Sequence, residues 1–190
     1  MTIAIIKYND GNTTSVTNAL ARLGCTPIIT DDAAQIRAAS HVIFPGDGHA
    51  RPIMAYLRER KLDQLIPSLT QPFLGICIGM QLLCGWSEEG DTTCLGVYQQ
   101  KVQRFAGPGK VPHMGWNRVS LAQSGLGEGS PWFYFLHSYR VDLGPDTIGT
   151  CDYGGHFSAI MRKDNFLSVQ FHPEKSDKAG AALLQRFVAS

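Results

Sequence analysis

Apolar positions in the first half of the chain fall in short clusters separated by polar breaks, and the clusters alternate between two periods. TIAIIKY (2–8) is a β-branched run that stops at Asn9, Asp10 and Gly11. SVTNALARLG (15–24) then sets Val16, Ala19, Leu20 and Leu23 at helical spacing, with Gly24 as the stop. TPIIT (26–30) predicts a second strand, DDAAQIRAA (31–39) a short helix opened by acidic residues, and HVIFPG (41–46) a third strand closed by Pro45 and Gly46. A helix around MAYLRERKLDQLI (54–66) follows, then a strand at QPFLGIC (71–77) and the opening of a helix at GMQLLCGWS (79–87).

This alternation predicts an α/β fold: a central, mostly parallel sheet with flanking helices. Beyond about residue 92 the rhythm changes to shorter strands rich in turn residues, at 94–105, 110–119, 132–143, 147–153, 157–163 and 166–172. SDKAGAALLQRFVAS (176–190) reads as a terminal helix. The second half is expected to extend the first sheet antiparallel rather than to form a separate unit, so that residues 1–190 make one domain. AGPGK (106–110) and AQSGLGEGS (122–130) read as surface loops.

Composition narrows the function classes. Charged residues are 17% of the chain and the formal net charge is +1, so bulk electrostatics give no reason to expect a nucleic-acid surface. No apolar stretch approaches the roughly 20 residues of a membrane span. The five cysteines (Cys25, Cys77, Cys84, Cys94 and Cys151) are odd in number and show no C-x-x-C pair, and the start MTIAIIKYNDG has no signal-like core. A cytoplasmic setting is expected. His41, His49, His113, His137 and His156 show no metal-ligand spacing, so no metal site is expected, and no cofactor is expected either.

One cysteine stands apart. In FLGICIGMQLL (73–83), Cys77 sits at a strand-to-helix turn between Gly75 and Gly79, where a nucleophile is held exposed and the amides of the next helix favour a thiolate. The arrangement has the logic of a G-x-S-x-G elbow with cysteine for serine, although a packed strand-end cysteine would look the same in sequence. A cysteine nucleophile needs a base, and the base needs an orienting group. VQFHPEKS (169–176) offers His172 and Glu174 across Pro173 at a strand end. For the oxyanion of acyl transfer, IFPGDG (43–48) ends a neighbouring strand, and the backbone amides of Asp47 and Ile78 are the expected donors.

P-G-x-G at 45–48, G-I-C-I-G-M-Q at 75–81 and H-P-E at 172–174 resemble, in order and rough spacing, the class I (triad) glutamine amidotransferases, a flavodoxin-like fold. Within that family KVPHMGWN (110–117), FYFLHSY (133–139) and FHPEKS (171–176) are similar to the glutaminase subunits of imidazole glycerol phosphate synthase, of histidine biosynthesis. The resemblance implies that L-glutamine is hydrolysed through a glutamyl thioester at Cys77, with His172 as acid and base and Glu174 orienting it. It further implies that Gln81, Ser138 and Tyr139 bind the α-amino and α-carboxylate groups of glutamine, and that Gly46 and Gly48 shape the pocket.

The implied partner is a (β/α)₈-barrel cyclase subunit in a heterodimer, which uses the ammonia to release imidazole glycerol phosphate and an aminoimidazole carboxamide ribotide. His113, Met114, Gly115, Trp116 and Asn117 would form the contact loop, with Lys175 beside it. Asp47 departs from the family's usual apolar residue in P-G-x-G; with its backbone as the donor, its side chain is expected to face solvent. Two other readings remain at this point: a glutaminase serving another acceptor, such as a surface sugar, and a catalytically silent partner-binding subunit.

Overall fold

The computed structural model describes residues 1–8, 13–106, 109–121 and 129–190. The expected stop at Asn9–Gly11, residues 107–108 of one expected loop and 122–128 of the other lie outside the described residues.

The parallel half follows the hydrophobic rhythm closely. Strand β1 (Ile3–Ile6) leads to helix α1 (Thr13–Arg22), β2 (Ile28–Thr30), α2 (Ala33–Ala38) and β3 (His41–Phe44). Helices α3 (Ala50–Glu59) and α4 (Leu62–Leu65) stand where one helix is expected: Lys61 adopts φ 57°, a left-handed conformation that ends one helical run before the next begins. A 3₁₀ turn (Ile66–Ser68), β4 (Phe73–Ile76) and α5 (Ile78–Leu82) follow.

The second half contains the short strands β5 (Trp86–Ser87), β6 (Thr92–Thr93) and β7 (Lys101–Arg104), then β8 (His113–Arg118), β9 (Trp132–His137) and β10 (Tyr139–Val141). Strands β11 (Thr147–Asp152), β12 (His156–Lys163) and β13 (Phe166–Val169), a 3₁₀ turn (Pro173–Lys175) and α6 (Asp177–Val188) complete the chain.

The central sheet has the order β11-β12-β13-β4-β3-β1-β2. Its pairs from β13 to β2 are parallel, and β11-β12-β13 are antiparallel. The expected antiparallel extension therefore exists but is made by only part of the second half. Strands β10-β7-β5-β6 form a second sheet and the β8–β9 hairpin a third. The segment expected as one strand over 132–143 breaks at Ser138 and changes sheets, because β9 pairs with β8 while β10 pairs with β7. Hydrogen-bond register, which local apolar content does not encode, decides that break.

Alternation along β1 builds two cores, one on each face of the central sheet. Ala4 and Ile6 pack with Val42, Phe44, Phe73 and Met80, whereas Ile3 and Ile5 pack with Ile43, Leu74, Ile76 and Phe171. The carboxyl ends of β1, β3 and β4 thereby bring Tyr8, Pro45–Gly48 and Cys77 to one rim of the sheet. Among the described residues no helix is long and apolar enough to cross a membrane.

Candidate active site

Cys77 adopts φ 52° and ψ −110°. Such a backbone costs a non-glycine residue on the order of 1–3 kcal/mol and persists only where its surroundings over-determine it. Here the Cys77 amide donates to the Val169 carbonyl at 2.8 Å, and its own carbonyl accepts from the Gln81 amide at 3.2 Å. Glycine is required alongside: a Cβ on Gly46 would strike the Ile76 carbonyl and Cys77, and one on Gly79 would strike the Phe44 carbonyl. The thiol lies 3.7 Å from the Leu136 carbonyl and receives an N–H from Gln170 Nε2 at 3.7 Å.

His172 and Glu174 meet as the turn predicts. The His172 ring donates through Nδ1 to Glu174 Oε1 at 2.8 Å, with both side chains buried. The His172 amide is tied to the Tyr134 carbonyl at 2.9 Å, and its carbonyl accepts from Ser176 Oγ, so the imidazole is anchored from both sides. Burial alone would pull this imidazolium down. The Cys77 sulfur and the Glu174 carboxylate outweigh burial and hold His172 up to about 10, so the ring stays protonated at neutral pH.

At the end of β3 the arrangement differs from the expectation for Asp47. Its backbone N–H, the expected oxyanion donor, donates to the Tyr8 hydroxyl at 3.0 Å. That hydroxyl lies 2.8 Å from the Pro45 carbonyl and 3.0 Å from the Asp47 carbonyl, and donates into them. Burial raises the Tyr8 pKa well above the usual phenol range, so the clasp keeps its proton. The Asp47 side chain is exposed, in line with its expected direction.

A cleft of about 270 Å³ opens over these groups. Gly46, Gly48, Cys77, Ile78, Gln81, Ser138, Tyr139 and His172 are among the residues that line it. Glu174 stands behind His172. Gln81 is buried and spends its amide on the Tyr139 carbonyl (2.9 Å) and Gln170 Oε1 (3.0 Å). Three residues that sequence reasoning did not single out belong here. Glu89 places a carboxylate in the cleft wall and accepts from the Ala50 amide at 2.8 Å. Tyr8 touches the Pro45–Gly48 turn, and Gln170 touches the thiol. For Tyr8 a signal was present, since carboxyl ends of adjacent parallel strands converge on one rim. Nothing in the linear pattern separates Glu89 from Glu88, or marks Gln170 among strand-end glutamines.

The expected contact loop divides. Met114 (66% exposed) and Trp116 (50%) stand on the outer face of the β8–β9 hairpin with Leu136. Lys175 is exposed at the cleft edge. His113 corrects the expectation: it is buried, stacked on Tyr153 at 3.9 Å between ring centres, with Nδ1 3.0 Å from His137 Nε2. Strand alternation turns it inward, and the half-buried Asn117 donates to the Asp152 carbonyl. Burial lowers His113 to about 4 and His137 to about 3, leaving both rings neutral. Away from the cleft, burial pushes the Cys94 and Cys151 thiols up to about 12 and Cys84 well above its usual value. Among the described residues no group of three or more His, Cys, Asp or Glu could hold a metal ion.

The family model described as glutamine amidotransferase class-I matches residues 4–190. The chain is 48% identical over 194 residues to imidazole glycerol phosphate synthase subunit HisH of Bacteroides fragilis (strain YCH46), covering 99% of each chain. It is 45% identical over 191 residues to the protein of that name from Idiomarina loihiensis, covering 99% of this chain and 97% of that one. In fold it resembles a crystallised glutamine amidotransferase (TM-score 0.78, 21% identity, 98% of this chain and 97% of that one). It also resembles a glutamine amidotransferase from Thermotoga maritima (TM-score 0.63, 16% identity, 100% of this chain and 83% of that one).

Proposed function

Because the chain belongs to the class I glutamine amidotransferase family, and within it to the glutaminase subunits of imidazole glycerol phosphate synthase, an enzyme of histidine biosynthesis, we propose that it hydrolyses glutamine at Cys77. In this reading the Cys77 thiolate attacks the γ-carboxamide carbon of glutamine and the carbonyl oxygen becomes an oxyanion. The His172 imidazolium gives its proton to the departing nitrogen, which leaves as ammonia, and a glutamyl thioester remains. His172, now neutral, takes a proton from water, and the hydroxide attacks the thioester. Glutamate leaves and the proton returns to the Cys77–His172 pair. Glu174 holds the ring and favours its charged form.

The observation that carries this reading is the joint state of Cys77 and His172. A cysteine strained at a turn lies beside a buried imidazole held up to about 10 by that sulfur and by Glu174. The substrate contacts follow by charge. Glutamine brings an α-ammonium and an α-carboxylate, and the Glu89 carboxylate suits the first. The Ser138–Tyr139 stretch suits the second, and Gln81 lines the same cleft. The Ile78 amide is one oxyanion donor. The Asp47 amide is the second once Tyr8 releases it, which fits an activity that is low in the isolated chain and raised in the complex.

The partner of this reading is a (β/α)₈-barrel cyclase, joined in a heterodimer. Met114, Trp116 and Leu136 give it an apolar face and Lys175 a charge. Leu136 joins the two regions, since its side chain lies on that face and its carbonyl on the thiol. The test is glutamate production by the chain with and without its co-purified cyclase, alongside Cys77→Ala. Turnover raised by the cyclase and abolished in the variant is expected. A wild-type complex that makes no glutamate, or a Cys77→Ala complex that still uses glutamine, overturns the reading.

A further inference from the structure

Gln170 follows β13 and is completely buried two residues before His172. A buried amide without partners is costly, and Gln170 meets this requirement at both ends. Its orientation follows from a chain of constraints that starts at a group with no choice. The Tyr139 carbonyl can only accept, and it already takes the N–H of His137 Nδ1 at 2.7 Å. The Gln81 side chain, 2.9 Å away, must therefore present Nε2 to it. The second N–H of Gln81 then points at Gln170, which must answer with Oε1 at 3.0 Å. That assignment leaves Gln170 Nε2 on the Cys77 sulfur at 3.7 Å, where it is a donor.

Two consequences meet in one side chain. Both N–H groups of Gln81 are committed inward, so the Gln81 atom offered to the cleft is its carbonyl oxygen, an acceptor suited to an ammonium and not to a carboxylate. Cys77 also gains an N–H donor from the sheet side, a contact that holds the sulfur in place and can share negative charge that develops on it. We propose that Gln170 is a positioning residue of the reaction: its single amide fixes the acceptor face of Gln81 and steadies the Cys77 sulfur, coupling ligand recognition to the nucleophile. This proposal rests on the glutaminase reading for its substrate, though its contact with the thiol does not.

The experiment compares Gln170→Leu and Gln170→Glu in the full chain with its cyclase. It reads the kcat and KM for glutamine, the rate of Cys77 alkylation by iodoacetamide at pH 7, and the melting temperature. Gln170→Leu removes both contacts, so alkylation is expected to slow by about tenfold, the scale of one hydrogen bond to a charged group, with KM rising alongside. Gln170→Glu keeps an oxygen for Gln81 but loses the donor, so kcat and alkylation fall while KM stays within about twofold. Alkylation and KM within about twofold of wild type in both variants overturn the proposal, as does a KM that rises as much in Gln170→Glu as kcat falls. Should Gln170→Leu fail to fold, the split in Gln170→Glu decides alone. Should the wild type make no glutamate, the glutaminase reading fails and the alkylation rates still decide whether Gln170 serves the thiol.

Discussion

Strands β3 and β4 are parallel neighbours that end at the same rim, Phe44 beside Gly75, yet their ends are held in different ways. The β4 end is fixed by the chain itself. Cys77 is tied through its amide to Val169 and through its carbonyl to Gln81, and Gly46 and Gly79 leave no room for a shift. The β3 end packs as closely against β4 and α5, but among the described residues its turn takes a side-chain clasp, the Tyr8 hydroxyl on Pro45 and Asp47. The proposed nucleophile is thus held by main-chain bonds, whereas the Asp47 amide, the proposed oxyanion donor, is engaged by a side-chain hydroxyl. Under the proposed glutaminase reading, in which ammonia is wasted without an acceptor, this division would place control on the turn and keep the thiol in position.

The contrast has consequences that can be measured in order of size. Gly79→Ala tests the rigid end, since its Cβ would press on the Phe44 carbonyl. A loss of about 3 kcal/mol in stability is expected from such overpacking, read as a drop in the urea midpoint. A variant with an unchanged midpoint would mean that the nucleophile turn is softer than its contacts suggest.

Glu174→Gln keeps the shape of the triad but removes one of the two groups that raise His172. Turnover in the complex should fall on the order of 10²- to 10⁴-fold. In the wild type, the alkaline limb of the rate profile should follow loss of the His172 proton near pH 10. In the variant it moves to lower pH, because a less stabilised imidazolium loses its proton sooner. An unmoved limb would separate Glu174 from the charge state of His172.

Tyr8→Phe opens the clasp at the other strand end. Freeing the Asp47 amide from one hydrogen bond should raise basal glutaminase activity of the isolated chain by about two- to tenfold and shrink stimulation by the cyclase. Basal activity that falls instead would make Tyr8 a support of the active turn and not its restraint. Asp47→Val is the smallest change. Its side chain is exposed and only its backbone is implicated, so basal activity should shift less than about tenfold; a larger effect would bring the carboxylate into the chemistry.

Legibility followed the same division. Cys77, His172 and Glu174 were readable because each sits in a short segment whose geometry is local: a strand-to-helix turn between glycines, and a proline-fixed turn. The helix split at Lys61 and the strand break at Ser138 were not readable. A left-handed residue can be any lysine, and a change of sheet depends on which distant strand takes the hydrogen bonds. His113 was misplaced for a related reason: motif membership says which strand a residue is on, while pairing with β9 says which face it turns to.

The sequence by itself determined the parallel core, through alternating apolar periods, and marked Cys77, His172 and Glu174 as candidates, through residue type and short spacing. The tertiary structure alone decided the state of the Asp47 amide, the inward face of Gln81 and the parts played by Tyr8, Glu89 and Gln170. These depend on hydrogen bonds between residues 39 to 93 positions apart, and an orientation-dependent contact over such separations leaves no periodic trace in the chain.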